Sequence, residues 1–140
     1  MGDVVTVEVA AGPRVGCGAF ILREGKLLLI QRRRAPEQGC WGLPGGKVDP
    51  YERVADAVRR EVLEELGVVI RVGDILCVVD QIDLEARTHW VAPTYYAEIE
   101  AGEPSVQEPQ AHAACGWFAL DALPSPLTVA TETALRALGG

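Results

Sequence analysis

Three carboxylates stand close together in the run Arg60-Glu61-Val62-Leu63-Glu64-Glu65-Leu66-Gly67. If the run is helical, a turn of about 100° per residue puts Glu61, Glu64 and Glu65 within an arc of about 100°. Glu61 is then i,i+3 from Glu64 and i,i+4 from Glu65, so the side chains are neighbours. Like charges at that spacing cost roughly 0.2–0.5 kcal/mol per pair. They also fall in the last turns, where the helix dipole disfavours carboxylates. A local rule broken in this way points to function. A hard divalent cation reverses the penalty. Mg²⁺ takes oxygen ligands, uses few carboxylates and completes its shell with water and substrate phosphates. For three glutamates taken alone, a solvated acidic face on a surface helix is the plain alternative.

The helix that carries them is predicted to open at Asp49, with Pro50 in the first helical position and Glu52 three residues after the cap. Ala55, Val58, Val62 and Leu66 recur at helical spacing and form its apolar stripe. Gly67 suits a left-handed stop. Just upstream, Gly45-Gly46 lets the backbone come close to a ligand or metal.

The spacing extends further. Gly46, Glu52 and then Arg60-Glu61-Val62-x-Glu64-Glu65-x-Gly67-Val68 follow one another at the separations of the Nudix box. The chain therefore resembles the Nudix hydrolases, and the layout from about Val15 to Leu138 resembles the family too. The resemblance implies an α/β (α+β) fold, an αβα sandwich with a mixed β-sheet between helices. It implies a Mg²⁺-dependent hydrolase of phosphoanhydride bonds, with Mn²⁺ as a substitute. Glu61 and Glu65 would be the principal metal ligands, and Glu64 a ligand or the base that orients water. Arg60 would pair with Glu52 and brace the site, whereas a surface pair with Asp56 is the bland alternative. A backbone carbonyl of Gly45 or Gly46 would add a metal ligand, with Gly46 the first choice. Members often add an acid from beyond the box. Glu108 is the candidate here, with Glu103 or Glu85 behind it, and His112 lies near where related sequences place that acid.

A net charge of −7 argues against binding the backbone of long nucleic acids. A small polyphosphate would need local bases or bound cations. Arg32 and Arg34 are candidates because a guanidinium offers a planar fork to phosphate oxygens, and the Lys47 ammonium is another, with a solvated strand end and plain surface as the alternatives. Alternation puts Arg32 and Arg34 on one side of their strand end and Arg33 on the other. No apolar run is long enough to cross a membrane, and the acidic N-terminus is unlike an export signal. The cysteines at 17, 40, 77 and 115 are scattered and form no CxxC pair. They read as free thiols in a reducing cytoplasm.

The remaining elements follow from patterning. We expect one domain over residues 1–140, with 1–13 as a loose lead-in and a short strand at Val4 to Val9. Strands are predicted at Val15 to Leu22 and Leu27 to Gln31, joined by a turn at Glu24-Gly25. Trp41 reads as core packing ahead of a pocket role. A β-rich stretch from Val68 to Asp80 carries a turn or bulge at Gly73-Asp74, and Gln81 to Thr88 reads as a loop. Strands at His89 to Glu100 and Ala114 to Leu120 flank a loop at Ala101 to Gln110. A closing helix runs from Thr128 to Leu138 with Leu135 and Leu138 inward.

The box does not name the substrate. ADP-ribose hydrolases of the family often carry a proline about sixteen residues after the box, and dinucleoside polyphosphate hydrolases a tyrosine near there. Leu84 and Glu85 occupy this stretch. The stretch from His89 to Tyr96 and the region from Glu108-Pro109 to Leu123-Pro124 resemble members that act on nucleoside triphosphates, including oxidised or cytosine forms, so the expectation is a nucleoside triphosphate, released as monophosphate and pyrophosphate in nucleotide pool sanitation or housekeeping. His89, Trp90, Tyr95 and Tyr96 are candidates to stack on the base, with packing as the alternative. The rival readings are an ADP-ribose or nucleotide-sugar diphosphatase, a non-catalytic nucleotide-binding module and an acidic interaction domain. A homodimer is compatible with all of them.

Overall fold

A computed structural model describes residues 12–139. The strand expected at Val4 to Val9 lies outside them. The elements in order are β1 (Arg14–Arg23), β2 (Lys26–Arg32), β3 (Trp41–Gly42), β4 (Gly45–Lys47), α1 (Val54–Leu66), β5 (Val69–Asp83), β6 (Thr88–Ala101), β7 (His112–Ala119) and α2 (Val129–Gly139). They form a seven-stranded sheet with the path β3-β2-β1-β6-β5, β4 joining β1 and β7 joining β2. The sheet is mixed: β1 runs parallel to β6, and its other pairings are antiparallel.

The inward alternation of β1 and β2 builds two cores. Cys17, Ala19 and Ile21, with Leu28 and Ile30, face α1 and meet Ala57, Val58, Val62 and Leu66. Phe20, Leu27 and Leu29 point the other way and meet Ala134 of α2, with Leu135 and Leu138 packed alongside. This is the expected αβα sandwich. Val58, Val62 and Leu66 are fully buried, worth about 1.5–3 kcal/mol each relative to exposure. They hold α1, and hence its carboxylates, on a fixed face of the sheet.

One edge of β1 is divided. Gly16, Cys17 and Gly18 pair with Lys47, Gly46 and Gly45 of β4. Only Leu22 and Arg23, at the far end, pair with Leu27 and Lys26 of β2. The turn between β1 and β2 has both central residues, Glu24 and Gly25, at positive φ, which matches the twist of a tight hairpin.

Three expectations need correction. The helix starts at Val54, after an extended Arg53 whose side chain makes no capping bond. Residues 49–52 form a separate turn: the Glu52 amide donates to the Asp49 carbonyl (3.1 Å), and the Asp49 amide donates to Glu52 Oε1 (3.0 Å). Tyr51 at φ 69° breaks the helical path there. Second, Gln81 to Asp83 belong to β5 rather than to a loop, pairing with Trp90, His89 and Thr88. Their polar residues suit a hairpin whose faces are partly solvated. Residues 84–87 alone make the turn, with the amides of Glu85 and Ala86 donating to Asp83 Oδ1. Third, Ala57, outside the predicted stripe, is buried while Ala55 is only partly so. The irregularity at Gly73-Asp74 is present as a register shift between Val72 and Ile75. Gly67 closes α1 at φ 72°, its amide donating to Leu63 O.

Candidate active site

The site forms where the C-terminal turns of α1 lie against β4. Glycine is required twice. A Cβ on Gly45 would land on the Cys17 carbonyl oxygen, and one on Gly46 would land inside the Glu61 carboxyl group. The diglycine thus lets Glu61 seat directly against the strand. The Gly45 amide donates to Glu65 Oε1 at 2.9 Å. Register separates the two glycines. Gly46 is the cross-strand partner of Cys17, and the flanking bonds from Val48 N to Val15 O and from Ala19 N to Pro44 O make theirs a hydrogen-bonded pair of the alternating ladder and Gly45–Gly18 a non-bonded one. The amide of Gly45 points instead toward α1. Gly45, rather than the first-choice Gly46, therefore has its polar backbone on the side of the carboxylates.

Arg60 organises the cluster. Its Nε and Nη2 grip Glu52 as a fork, at 2.8 Å to Oε2 and 2.9 Å to Oε1. Nη2 also donates to the Lys47 carbonyl (2.9 Å), and Nη1 reaches Glu61 Oε2 (3.2 Å) and Glu64 Oε1 (3.3 Å). Asp56 pairs with Arg59 instead. The Arg60 hydrogen bonds, with the Asp49 amide behind them, hold the Glu52 carboxyl down at about 2. Arg60 in turn is held more firmly protonated by Glu52.

The two carboxylates nearest the diglycine are pushed the other way. Glu65 is 8% exposed. Burial raises its pKa to about 8, opposed by the Gly45 amide and Arg32 and reinforced by the charges of Glu61 and Glu108. Burial also raises Glu61, against the pull of Arg60. Glu64 keeps about half its side-chain surface. Two desolvated carboxylates that destabilise one another are a fit for a hard cation. Among the described residues, no three Asp, Glu, His or Cys side chains converge into a finished cage.

On the far side of Glu65, His112 Nε2 stands 3.7 Å from Oε2, with Nδ1 buried and unpartnered. Burial lowers the His112 pKa, helped by Arg32 and Arg34 and opposed by Glu108. The His112 amide donates to the Glu108 carbonyl (3.0 Å). His112 thus stands next to Glu65, with the charges of Arg32 and Glu108 acting on Glu65 and those of Arg32 and Arg34 on His112. Arg33 is turned to other work, its Nε donating to Pro109 O at 2.7 Å. Lys47 is exposed beside the diglycine. Glu103 pairs with Arg23 and Glu85 sits in the β5–β6 turn, so neither joins the cluster.

Of the four aromatic candidates, three are engaged elsewhere. Trp90 lies under Arg14, Tyr96 meets the edge of Phe20, and Tyr95 packs against the α1-side core. His89 is far along the hairpin, opposite Ile82. Trp41 packs edge-on to Phe118 in the other core. All four cysteines are free. Burial pushes Cys17 up to about 11, which keeps the thiol protonated and unreactive.

This arrangement can hold a divalent cation at an acidic helix end and a polyanion against the facing arginines. A model of the NUDIX domain matches residues 12–138, and the chain belongs to the Nudix hydrolase family. It is similar to a MutT Nudix hydrolase from Burkholderia pseudomallei, whose crystal structure gives a TM-score of 0.89 at 59% identity over 91% of this chain and 99% of that one. It is 34% identical to an ADP-ribose pyrophosphatase of Methanocaldococcus jannaschii over 72% of this chain and 60% of that protein. It is 37% identical to a CTP pyrophosphohydrolase of Escherichia coli over 61% of this chain and 66% of that protein. The chain spans less than two thirds of the length of these last two relatives. No helix among the described residues is long and apolar enough to cross a membrane.

Proposed function

We propose that this chain hydrolyses a nucleoside triphosphate to the monophosphate and pyrophosphate with a divalent cation, Mg²⁺ by preference. The observation that carries the reading is the desolvated pair Glu61 and Glu65, seated on the diglycine, with the charge of Arg32 acting on Glu65. Glu61 and Glu65 would hold the cation, and the Gly45 carbonyl would be the backbone ligand. When bound, the ion supplies charge neutralisation on the phosphate oxygens and acidifies water.

The chain's own residues do the positioning. Glu64, the most solvent-exposed of the three, orients the attacking water and takes its proton. One P–O bond forms to that water and the bridging P–O bond of the α–β anhydride breaks. Arg32, Arg34 and Lys47 offset the charge of the phosphates as it shifts. Glu52 holds Arg60, and Arg60 keeps Glu61 and Glu64 from drifting. Glu108, beside Glu65, supplies the acid from beyond the box.

All box carboxylates are present, which speaks against a binding-only module. The similarity to an ADP-ribose pyrophosphatase favours a second reading, a diphosphatase of ADP-ribose or a nucleotide sugar. A phosphate- and pyrophosphate-release screen over triphosphates, ADP-ribose, nucleotide sugars and dinucleoside polyphosphates separates them. Pyrophosphate from triphosphates, abolished by a chelator and restored by Mg²⁺ or Mn²⁺, is the expected result. Turnover of ADP-ribose alone selects the second reading, and metal-independent or absent turnover of every compound overturns both.

A further inference from the structure

His112 reaches the carboxylates by way of the loop that closes the end of α1. That loop is stitched to the helix. The Ser105 amide donates to Leu66 O (3.1 Å) and the Gln107 amide to Glu65 O (3.1 Å), satisfying carbonyls that a helix end leaves free. The amides of Ala111 and His112 turn back to Glu108 O (2.9 and 3.0 Å), and the Arg33 amide donates to Ala111 O (2.9 Å). His112 then opens β7 opposite Arg32 of β2. Its backbone is fixed from both sides, and its ring rests against Glu65 with Nε2 3.7 Å from Oε2. Each of the two side chains keeps only 11% of its surface.

The other ring nitrogen shows what the ring offers. Nδ1 is buried and has no hydrogen-bond partner among the described residues. An orphaned buried N–H is rarer than an under-used acceptor, so the ring hydrogen belongs on Nε2, aimed at Glu65. The reverse arrangement, a protonated Glu65 donating to a bare Nε2, puts that hydrogen on Nδ1 with nothing to accept it. A ring that ligated a metal through Nε2 has the same fault, since ligating histidines give their other N–H to a carboxylate, carbonyl or water. His112 is therefore a donor toward Glu65 and not a second ligand.

Glu65 then has a donor for each oxygen. The Gly45 amide holds Oε1 at 2.9 Å, and Nε2–H faces Oε2. The 3.7 Å gap exceeds a hydrogen bond, and a shift of less than about 1 Å in the flexible carboxyl group closes it. We infer that His112 is a positioning residue: with the Gly45 amide it fixes the plane of the Glu65 carboxylate, so that the remaining lone pairs meet a divalent cation in one geometry. An ammonium or guanidinium in its place would neutralise Glu65 and repel the ion. An uncharged donor steers the carboxylate and leaves its charge to the cation. The inference rests on the reading of Glu65 as a cation ligand and adds the group that aims it.

The test uses the full chain, stripped of metal, as wild type, His112→Leu and His112→Gln. Leucine fills the space without a donor, and glutamine returns an amide N–H near the position of Nε2. Mn²⁺ binding is read from the electron paramagnetic resonance signal of the free ion. His112→Leu should weaken Mn²⁺ by about 10- to 100-fold, the usual cost of losing a group that orients a ligand, and His112→Gln should recover most of it. Mg²⁺ activation should shift to higher concentration in step, with KM for the nucleotide unmoved at saturating metal. Urea unfolding in chelator should leave His112→Leu as stable as wild type or more so, because the orphaned Nδ1 is gone. In a Glu65→Gln background His112→Leu should cost no further affinity. Equal Mn²⁺ affinity in all three proteins, a loss that persists without the Glu65 carboxylate, or a destabilised His112→Leu overturns the assignment. So does a nitrogen bound directly to Mn²⁺ in wild type, seen by electron spin-echo spectroscopy and lost in His112→Leu, which makes the ring a ligand. A wild type that binds no Mn²⁺ overturns the parent reading, and the wild type alone decides that.

Discussion

Replacing Gly46 by alanine separates the site from the fold. Gly46 lies outside the left-handed region, so its backbone accepts alanine, and the loss of unfolded-state freedom stabilises by about 0.4–1 kcal/mol. Against this, the new methyl occupies the space of the Glu61 carboxyl group. Glu61 is the far end of a flexible side chain and can swing aside. It then gives up its 3.2 Å bond from Arg60, a loss of about 0.5–1.5 kcal/mol. The two effects nearly cancel, and urea unfolding should place Gly46→Ala within about 1 kcal/mol of wild type. Activity has no such compensation. A displacement of about 1 Å at a reacting centre costs on the order of 10²-fold, and Glu61 must move at least that far to clear a methyl. Steady-state pyrophosphate release should fall at least about 10²-fold in kcat/KM. In a Glu61→Ala background the same substitution should cost no further activity, because the group it displaces is gone. Wild-type turnover in Gly46→Ala, or an equal loss with and without Glu61, would refute the placement of Glu61 on the diglycine.

Glu65→Gln should lower turnover by orders of magnitude. It should leave thermal stability unchanged or raised, since a carboxyl that burial resists ionising becomes neutral; differential scanning calorimetry beside the release assay checks both halves. Thr128→Ala should destabilise by about 1 kcal/mol and leave KM intact. Thr128 caps α2 by accepting from the Thr131 amide at 3.2 Å, away from the carboxylates, and chemical denaturation with parallel kinetics measures the split.

The carboxylate cluster was legible from the chain because helical spacing is a short-range property: Glu61, Glu64 and Glu65 share a face whatever surrounds them. Gly67 and the Glu24-Gly25 turn were legible for the same reason. The start of α1 was not. Asp49, Pro50 and Glu52 carry the composition of a helix opening, yet the carboxylate of Glu52 is claimed by Arg60, eight residues on, and Tyr51 turns to positive φ. That competition is tertiary. The choice between Gly45 and Gly46 was hidden too, because it depends on which of them faces Cys17 across a strand pair.

The divided edge of β1 has a consequence for how such a molecule changes over generations. The strand bearing the diglycine hangs from the first half of β1, while the loop at 33–40 hangs from β2. Between these two limbs the direct β1–β2 ladder spans only two residue pairs, at the hairpin end. Lengthening or rewriting the loop at 33–40 strains β2 and α2, which support it, and leaves the seat of Glu61 and Glu65 untouched. The loop can therefore vary while the seat of the two carboxylates stays still.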